Sequence, residues 1–119
     1  YYLQRLVPQA EGAWRDWRVF VVGDRAVAAM IRHGKQWITN MRQGAKAERA
    51  PVDGAAAALA VRAAAAVGAR YAGVDLIAAP DGFQVLEVNS MPAWHGLQGV
   101  SDVDIAQALA DDVIAQVTR

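Results

Sequence analysis

Residues 74–92, "VDLIAAPDGFQVLEVNSMP", set Ala79-Pro80-Asp81-Gly82 between two apolar runs. Proline suits the second position of a type I turn and glycine takes the left-handed backbone that closes such a loop. The segment therefore predicts a hairpin whose three-residue loop is Pro80, Asp81 and Gly82 with a glycine bulge. Counting outward sets Ala79 opposite Phe83, Ile77 opposite Val85, Asp75 opposite Glu87 and Gly73 opposite Asn89. Alternation then divides the hairpin into two faces. Val74, Leu76, Ala78, Leu86 and Val88 read as core, whereas Asp75, Glu87 and Asn89 share the other face, where Gly73 leaves room. Opposed side chains lie about 4.5–5.5 Å apart and like charges so placed repel, so something positive belongs between these carboxylates. Two answers are open: a hard cation, or arginines paired with acids at a solvated edge. Magnesium suits two carboxylates and an amide oxygen, because it completes its octahedron with waters or phosphate oxygens. Zinc spacing and the calcium-loop pattern are both missing.

The remaining signals extend this hairpin into a single domain of 119 residues. Gly23-Asp24 divides "DWRVFVVGDRAVAAMIRH" into a second hairpin. A two-residue turn there places Arg18 and Arg32 on opposite faces; a three-residue loop including Arg25 places them on the same one. Residues 1–7 read as a strand, and residues 33–51 as a basic loop with a short strand at 37–39. An alanine-rich helix spans residues 53–67, with Asp53 as N-cap and Gly68 as stop. The last helix starts near Ser101, where Ser101 and Asp104 resemble a capping box, and carries an apolar stripe of Ile105, Leu109, Val113 and Val117. The expected class is α+β, an antiparallel sheet with helices on one face.

Composition narrows the function. Cysteine is absent, which excludes disulfides and thiolate metal sites. No apolar run approaches the ~20 residues of a membrane helix, and no signal pattern opens the sequence, so a cytoplasmic location without membrane partners is the default. The chain opens on Tyr1 rather than Met, which suggests a piece of a longer protein. Net charge is zero and gives no reason to expect nucleic acid as a partner. Yet residues 1–50 hold nine Lys or Arg against four acids, and residues 51–119 three against eight. Either the halves neutralise one another, or basic side chains and carboxylate-held cations converge on one polyanion. Arg5, Arg15, Arg18, Arg32 and Arg42, with Lys35 and Lys46, are then candidate phosphate ligands, the arginines especially, since a guanidinium grips phosphate as a planar fork. No Walker-type loop occurs. His33 and His95 read as structural, and Trp14, Trp17 and Trp37 as packing residues.

The stretches "DWRVFVVGDRAVAAMIRH", "WITNMRQGAKAERAPV" and "AGVDL…LEVNSMP" resemble the C-terminal part of RimK-like ATP-grasp ligases. That resemblance implies an ATP-dependent carboxylate–amine ligase acting through an acyl phosphate, with two magnesium ions, or manganese in their place. It makes Asp75, Glu87 and Asn89 the metal ligands, with Glu87 bridging both ions, and Arg18 the catalytic arginine facing the transferring phosphate. Arg32 would meet phosphate or a substrate carboxylate. Gln4, Leu6 and Val7 would border adenine, although Arg5 stands where an acid is common. Asn40 would lie near nucleotide and Arg42 near the acceptor, in a loop where Gly44-Ala45 replaces the usual glycine pair. Ser90 and Trp94 would border the amine substrate. The partners implied are a carboxylate acceptor and an amino acid, glutamate being favoured, with a homo-oligomer left open. "NSMPAWHGLQ" is similar to the loop of pterin-coenzyme glutamate ligases. Residues 1–119 would form one C-terminal ATP-grasp subdomain, the phosphate-binding lysine and glycine-rich lid lying in another part of the protein. The alternatives are a non-catalytic module used for assembly or effector binding, and a structural calcium or magnesium site unrelated to nucleotide.

Overall fold

A computed structural model describes residues 3–9, 14–34 and 46–119. Five strands, β1 (Trp14–Val22), β2 (Arg25–Gly34), β3 (Lys46–Arg49), β4 (Tyr71–Ala79) and β5 (Gly82–Asn89), form one sheet in the order β3-β2-β1-β4-β5. Every pairing is antiparallel. Helix α1 (Ala55–Ala66) connects β3 to β4; the short α2 (His95–Gln98) and then α3 (Ile105–Val117) follow β5. The antiparallel α+β class expected from the turns and periodicities is the one observed.

The helices divide between both faces of the sheet instead of gathering on one. On the first face, Val19, Val21, Ala29, Val74 and Leu76 meet Ala56, Ala57, Ala60 and Ala64 of α1. Methyl side chains let helix and sheet backbones approach closely, which is why so alanine-rich a segment can close a core. On the second face, Phe20, Val22, Ala28 and Met30 meet Leu97, Ile105 and Ala108. Trp94 packs edge-on against Phe20, with ring centroids 5.7 Å apart. This second layer covers only part of its face. Arg18 and Asp16 continue the same alternation along β1 beyond Phe20 and leave the apolar layer.

Several local details differ from expectation for identifiable reasons. Residues 3–9 have no regular secondary structure, and Gln9 Nε2 donates to the Ala78 carbonyl at 3.0 Å. The strand expected at 37–39 lies outside the described residues. β3, "KAER", carries too little apolar signal to be read as a strand, yet it pairs with β2 as a charged edge, a composition that discourages further strand addition. Helix α1 begins after Gly54 without a side-chain cap, so Asp53 is not its N-cap; Gly68, at φ 70°, ends it as expected. At α3 it is Asp104 alone that caps, accepting from the Gln107 N–H at 3.0 Å, while Ser101 Oγ accepts from the Val103 N–H. Of the apolar stripe, Ile105 is buried but Val113 and Val117 are exposed.

α3 is fastened to the sheet by charge as well as by apolar contact. Arg70 grips Asp112 through both carboxylate oxygens, with Nε to Oδ2 at 2.9 Å, and its carbonyl accepts from the Gly23 N–H at 2.7 Å. The hydrogen bond from Arg70 holds the Asp112 carboxyl below its ordinary pKa. A depressed folded-state pKa contributes stability that is complete above the unfolded value and vanishes as pH falls through the folded one. Asp112→Asn should therefore lower Tm at pH 7, and the gap to the native protein should close below about pH 4. Calorimetric melts across that range measure it, and a gap independent of pH would exclude the ion pair as its source.

Candidate functional site

Each hairpin contains one residue too many for a regular ladder, and these two insertions assemble the site. The first hairpin closes with the two-residue turn Gly23-Asp24, since Val22 pairs with Arg25. That turn alone would put Arg18 and Arg32 on opposite faces. The register then shifts at Val27, between the Val21–Ala26 and Phe20–Ala28 pairs, so that Arg18 faces Met30 and Asp16 faces Arg32. A bulge of this kind re-aims every later side chain on its strand. Both arginines thus reach the face that carries Phe20 and Met30.

The second hairpin repeats the device. Ala79 pairs with Gly82, so the loop is Pro80-Asp81 and not the expected three residues, and Ala78 faces Phe83 while Ile77 faces Gln84. Leu86 is the extra residue, between the Leu76–Val85 and Asp75–Glu87 pairs. The expected oppositions of Asp75 to Glu87 and of Gly73 to Asn89 are both observed. These pairs are preserved because the extra residue has the same effect on parity at Leu86 as in the turn. Its placement changes the core, however: Leu86 leaves the α1 face, Val85 becomes the residue opposite Leu76, and both Val85 and Leu86 line a cavity.

The countercharge to Asp75 is guanidinium. Arg18 holds Asp75 as a fork, Nε to Oδ1 at 2.7 Å and Nη2 to Oδ2 at 2.8 Å, and Arg32 Nη2 stands 3.3 Å from the same Oδ2. Arg32 is itself gripped by Asp16, Nε to Oδ1 at 2.8 Å and Nη2 to Oδ2 at 2.7 Å. Asp16, Arg32 and Asp75 are all buried. The hydrogen bond to Asp75 raises the Arg18 pKa above its already high value, with further contributions from the negative charges of Asp75, Asp16 and Glu87. Arg18 is consequently a fixed cation. Glu87 is exposed at the rim, opposite Asp75. Asn89 Oδ1 accepts from the Met91 N–H at 2.9 Å, which turns the chain off the strand. The room expected above Gly73 is filled by Pro92, whose Cβ would stand 2.8 Å from any Cβ built there.

Other expected residues scatter more widely. Gln4, Leu6 and Val7 line a cavity of about 610 Å³ together with Trp14, Ile77, Gln84 and Leu86. Ser90 is exposed beside Asn89, and Trp94 is half-buried against Phe20. Asn40 and Arg42 lie outside the described residues. His33 pairs with Glu48 at 2.7 Å, in keeping with its structural reading. Asp16 was missed, although its spacing of two from Arg18 already placed both on one face of a strand.

Whether this patch fits magnesium depends on its free lone pairs. An ionised carboxylate offers about four acceptor sites and an amide oxygen two. Asp75 Oδ2 is used by both arginines, Oδ1 by one, and Asn89 Oδ1 by Met91. Among the described residues' contacts, one site therefore remains on Asp75 Oδ1 and one on Asn89, with Glu87 exposed beside them, so the donor set fits a hard cation without loss of an ion pair. Among the described residues, no group of three His, Cys, Asp or Glu gathers as a metal cage.

The whole sequence bears the same signature. Residues 2–113 match the RimK-like ATP-grasp domain. This chain belongs to that family. Among curated proteins, the RimK-like domain is 42% identical over 113 residues to a tetrahydromethanopterin:alpha-L-glutamate ligase of Methanococcus maripaludis, covering 95% of this chain and 39% of that protein. It is 44% identical over 118 residues to the ligase of the same name from Methanocaldococcus jannaschii, covering 98% and 40%. The chain therefore spans about two-fifths of the length of these relatives. Among solved structures, the ATP-grasp ligase PsnB complexed with minimal precursor superposes with a TM-score of 0.73 at 32% identity, over 96% of this chain and 36% of that one. PsnB complexed with a phosphomimetic precursor variant, Mg and ADP gives a TM-score of 0.69 at 33% identity, over 87% and 32%.

Burial separates the two opposed acids experimentally. Asp75→Asn strips the charge from a buried partner of two arginines and should cost about 3–5 kcal/mol. Glu87→Gln changes an exposed side chain and should stay within about 0.5 kcal/mol. Urea denaturation of both variants tests the assignment, and equal losses would contradict the burial difference.

Proposed function

We propose that this domain is the metal- and phosphate-binding part of an ATP- and magnesium-dependent ligase that joins an amino acid, L-glutamate, to a carboxylate acceptor. The observation that carries the proposal is the opposition of Asp75 and Glu87 beside Asn89, backed by Arg18 and Arg32 on the same face. The names of the relatives support glutamate, and the PsnB complex with Mg and ADP supports the ligand class.

The chain's own groups suit phosphoryl transfer. Asp75, Glu87 and Asn89 would hold magnesium, whose chemistry when bound is to neutralise charge on the transferring phosphate. Arg18 and Arg32 each use their Nε and Nη2 edge on a carboxylate, which leaves the Nη1 donors outside those pairs. Such donors, fixed by the forks and always charged, can meet developing phosphate charge without reorganisation. The cavity lined by Leu6, Val7, Ile77 and Leu86, with Gln4, Arg5 and Gln84 as polar groups, suits a flat heteroaromatic ring such as adenine. In this reading the acceptor carboxylate takes the terminal phosphoryl group to form an acyl phosphate, and the glutamate amine then displaces phosphate. Ser90 and the loop after it would border that amine, and Asn40 and Arg42 the nucleotide and acceptor. Glu87, exposed beside Asp75, would be the ligand available to a second ion.

The test is release of ADP by the protein expressed from its complete gene, with magnesium, L-glutamate and a panel of coenzyme and peptide carboxylates. We expect turnover that requires glutamate, and a loss on the order of 100-fold or more in kcat for Glu87→Gln. A folded Glu87→Gln variant turning over at the native rate would overturn the site.

A further inference from the structure

The buried Asp16–Arg32 pair carries a role beyond charge balance. Arg32 stands between two carboxylates. Its Nη2 donates to Asp16 at 2.7 Å and lies 3.3 Å from Asp75, and its Nε is committed to Asp16. The guanidinium is thus turned with its bidentate edge toward Asp16, and only one corner touches Asp75. Were Asp16 neutral, Arg32 would have Asp75 as the remaining carboxylate of this group, and a buried guanidinium seeks a full fork. Arg18 already occupies one such fork on Asp75. A second would consume the free site on Oδ1 and add positive charge where a cation has to bind. Asp16 therefore restrains Arg32 and keeps Asp75 available.

We propose that Asp16 is a positioning residue of the metal site, acting through Arg32 to preserve the ligand capacity of Asp75. The proposal rests on the magnesium reading given above, so its test is built to separate the two. Manganese serves as a spectroscopic stand-in, titrated by electron paramagnetic resonance into the protein expressed from its complete gene, with saturating ADP. Asp16→Asn should weaken manganese binding about tenfold, and ADP affinity without metal should stay within about twofold of native. In an Arg32→Gln background the same Asp16→Asn change should have no further effect, because the residue it restrains is gone.

A purely structural Asp16 would lower Tm and leave the manganese affinity of the folded fraction unchanged, and that result overturns the proposal. Additive effects of Asp16→Asn and Arg32→Gln overturn it as well. Glu87→Gln is the control for the underlying reading: if it and Asp16→Asn both leave manganese affinity at the native value, the metal site itself is refuted. If only Glu87→Gln weakens binding, the metal site stands and the positioning role falls. Should Asp16→Asn fail to fold, Arg32→Lys carries the test, because lysine keeps the charge but cannot be held as a fork. Arg32→Lys should weaken manganese binding at least fivefold, and a native affinity would overturn the proposal.

Discussion

A chain of alternating charge runs across one face of the sheet, and the rest of the site depends on it: Asp16 to Arg32, Arg32 to Asp75, Asp75 to Arg18. Burying any one of these ions alone would cost several kcal/mol, and a single pair often no more than recovers that cost. Geometry alters the balance here. Both forks are bidentate, and among the described residues no buried side-chain nitrogen or oxygen lacks a partner. The network gains most of its value as a fixed electrostatic surface, because neither arginine can turn without breaking two hydrogen bonds. Two arginines and the acids Asp16, Asp75 and Glu87 leave one net negative charge on this face.

The sheet accommodates this network by changing character along its length. Near the Gly23 turn its second face is apolar and covered by α2 and α3 through Phe20, Val22, Leu97 and Ile105. Further along β1 the same face becomes ionic at Arg18 and Asp16, and beyond that it borders the cavity lined by Trp14, Ile77 and Leu86. The first face shows no such change, because α1 covers it with alanine methyls. One face therefore supplies continuous packing, which frees the other to carry charges that contribute little net stability.

Much of this was legible in the sequence, and the part that was not has a physical reason. The glycine and proline turns announced both hairpins, and alternation placed Asp75, Glu87 and Asn89 together. Turn chemistry is local, so its signal survives in a few residues. Bulges at Val27 and Leu86 leave no comparable mark, since neither residue is unusual in a strand and the shift follows from which side chains the two faces can accept. For the same reason the face shared by Arg18 and Arg32 remained open until the register was known. Strand β3 was hidden because an edge needs no apolar face. Asp16 was hidden because its significance lies in a cross-strand partner sixteen residues away.

The bulges also explain why an ionic site can exist in this sheet at all. If β5 continued from the tight turn without a shift, Leu86 would face Asp75, and Glu87 would point with Val74 into the layer beneath α1, where Ala60 and Ala64 offer no partner for a carboxylate. A regular β2 would likewise send Arg32 to that layer, away from Asp16 and Asp75. The regular β5 register would bury the Glu87 carboxylate without a partner, at a cost of several kcal/mol, and the regular β2 register would part Arg32 from both of its carboxylates. The shifted registers therefore suit the charges: in them Asp16, Arg32 and Asp75 pair with one another and Glu87 reaches solvent.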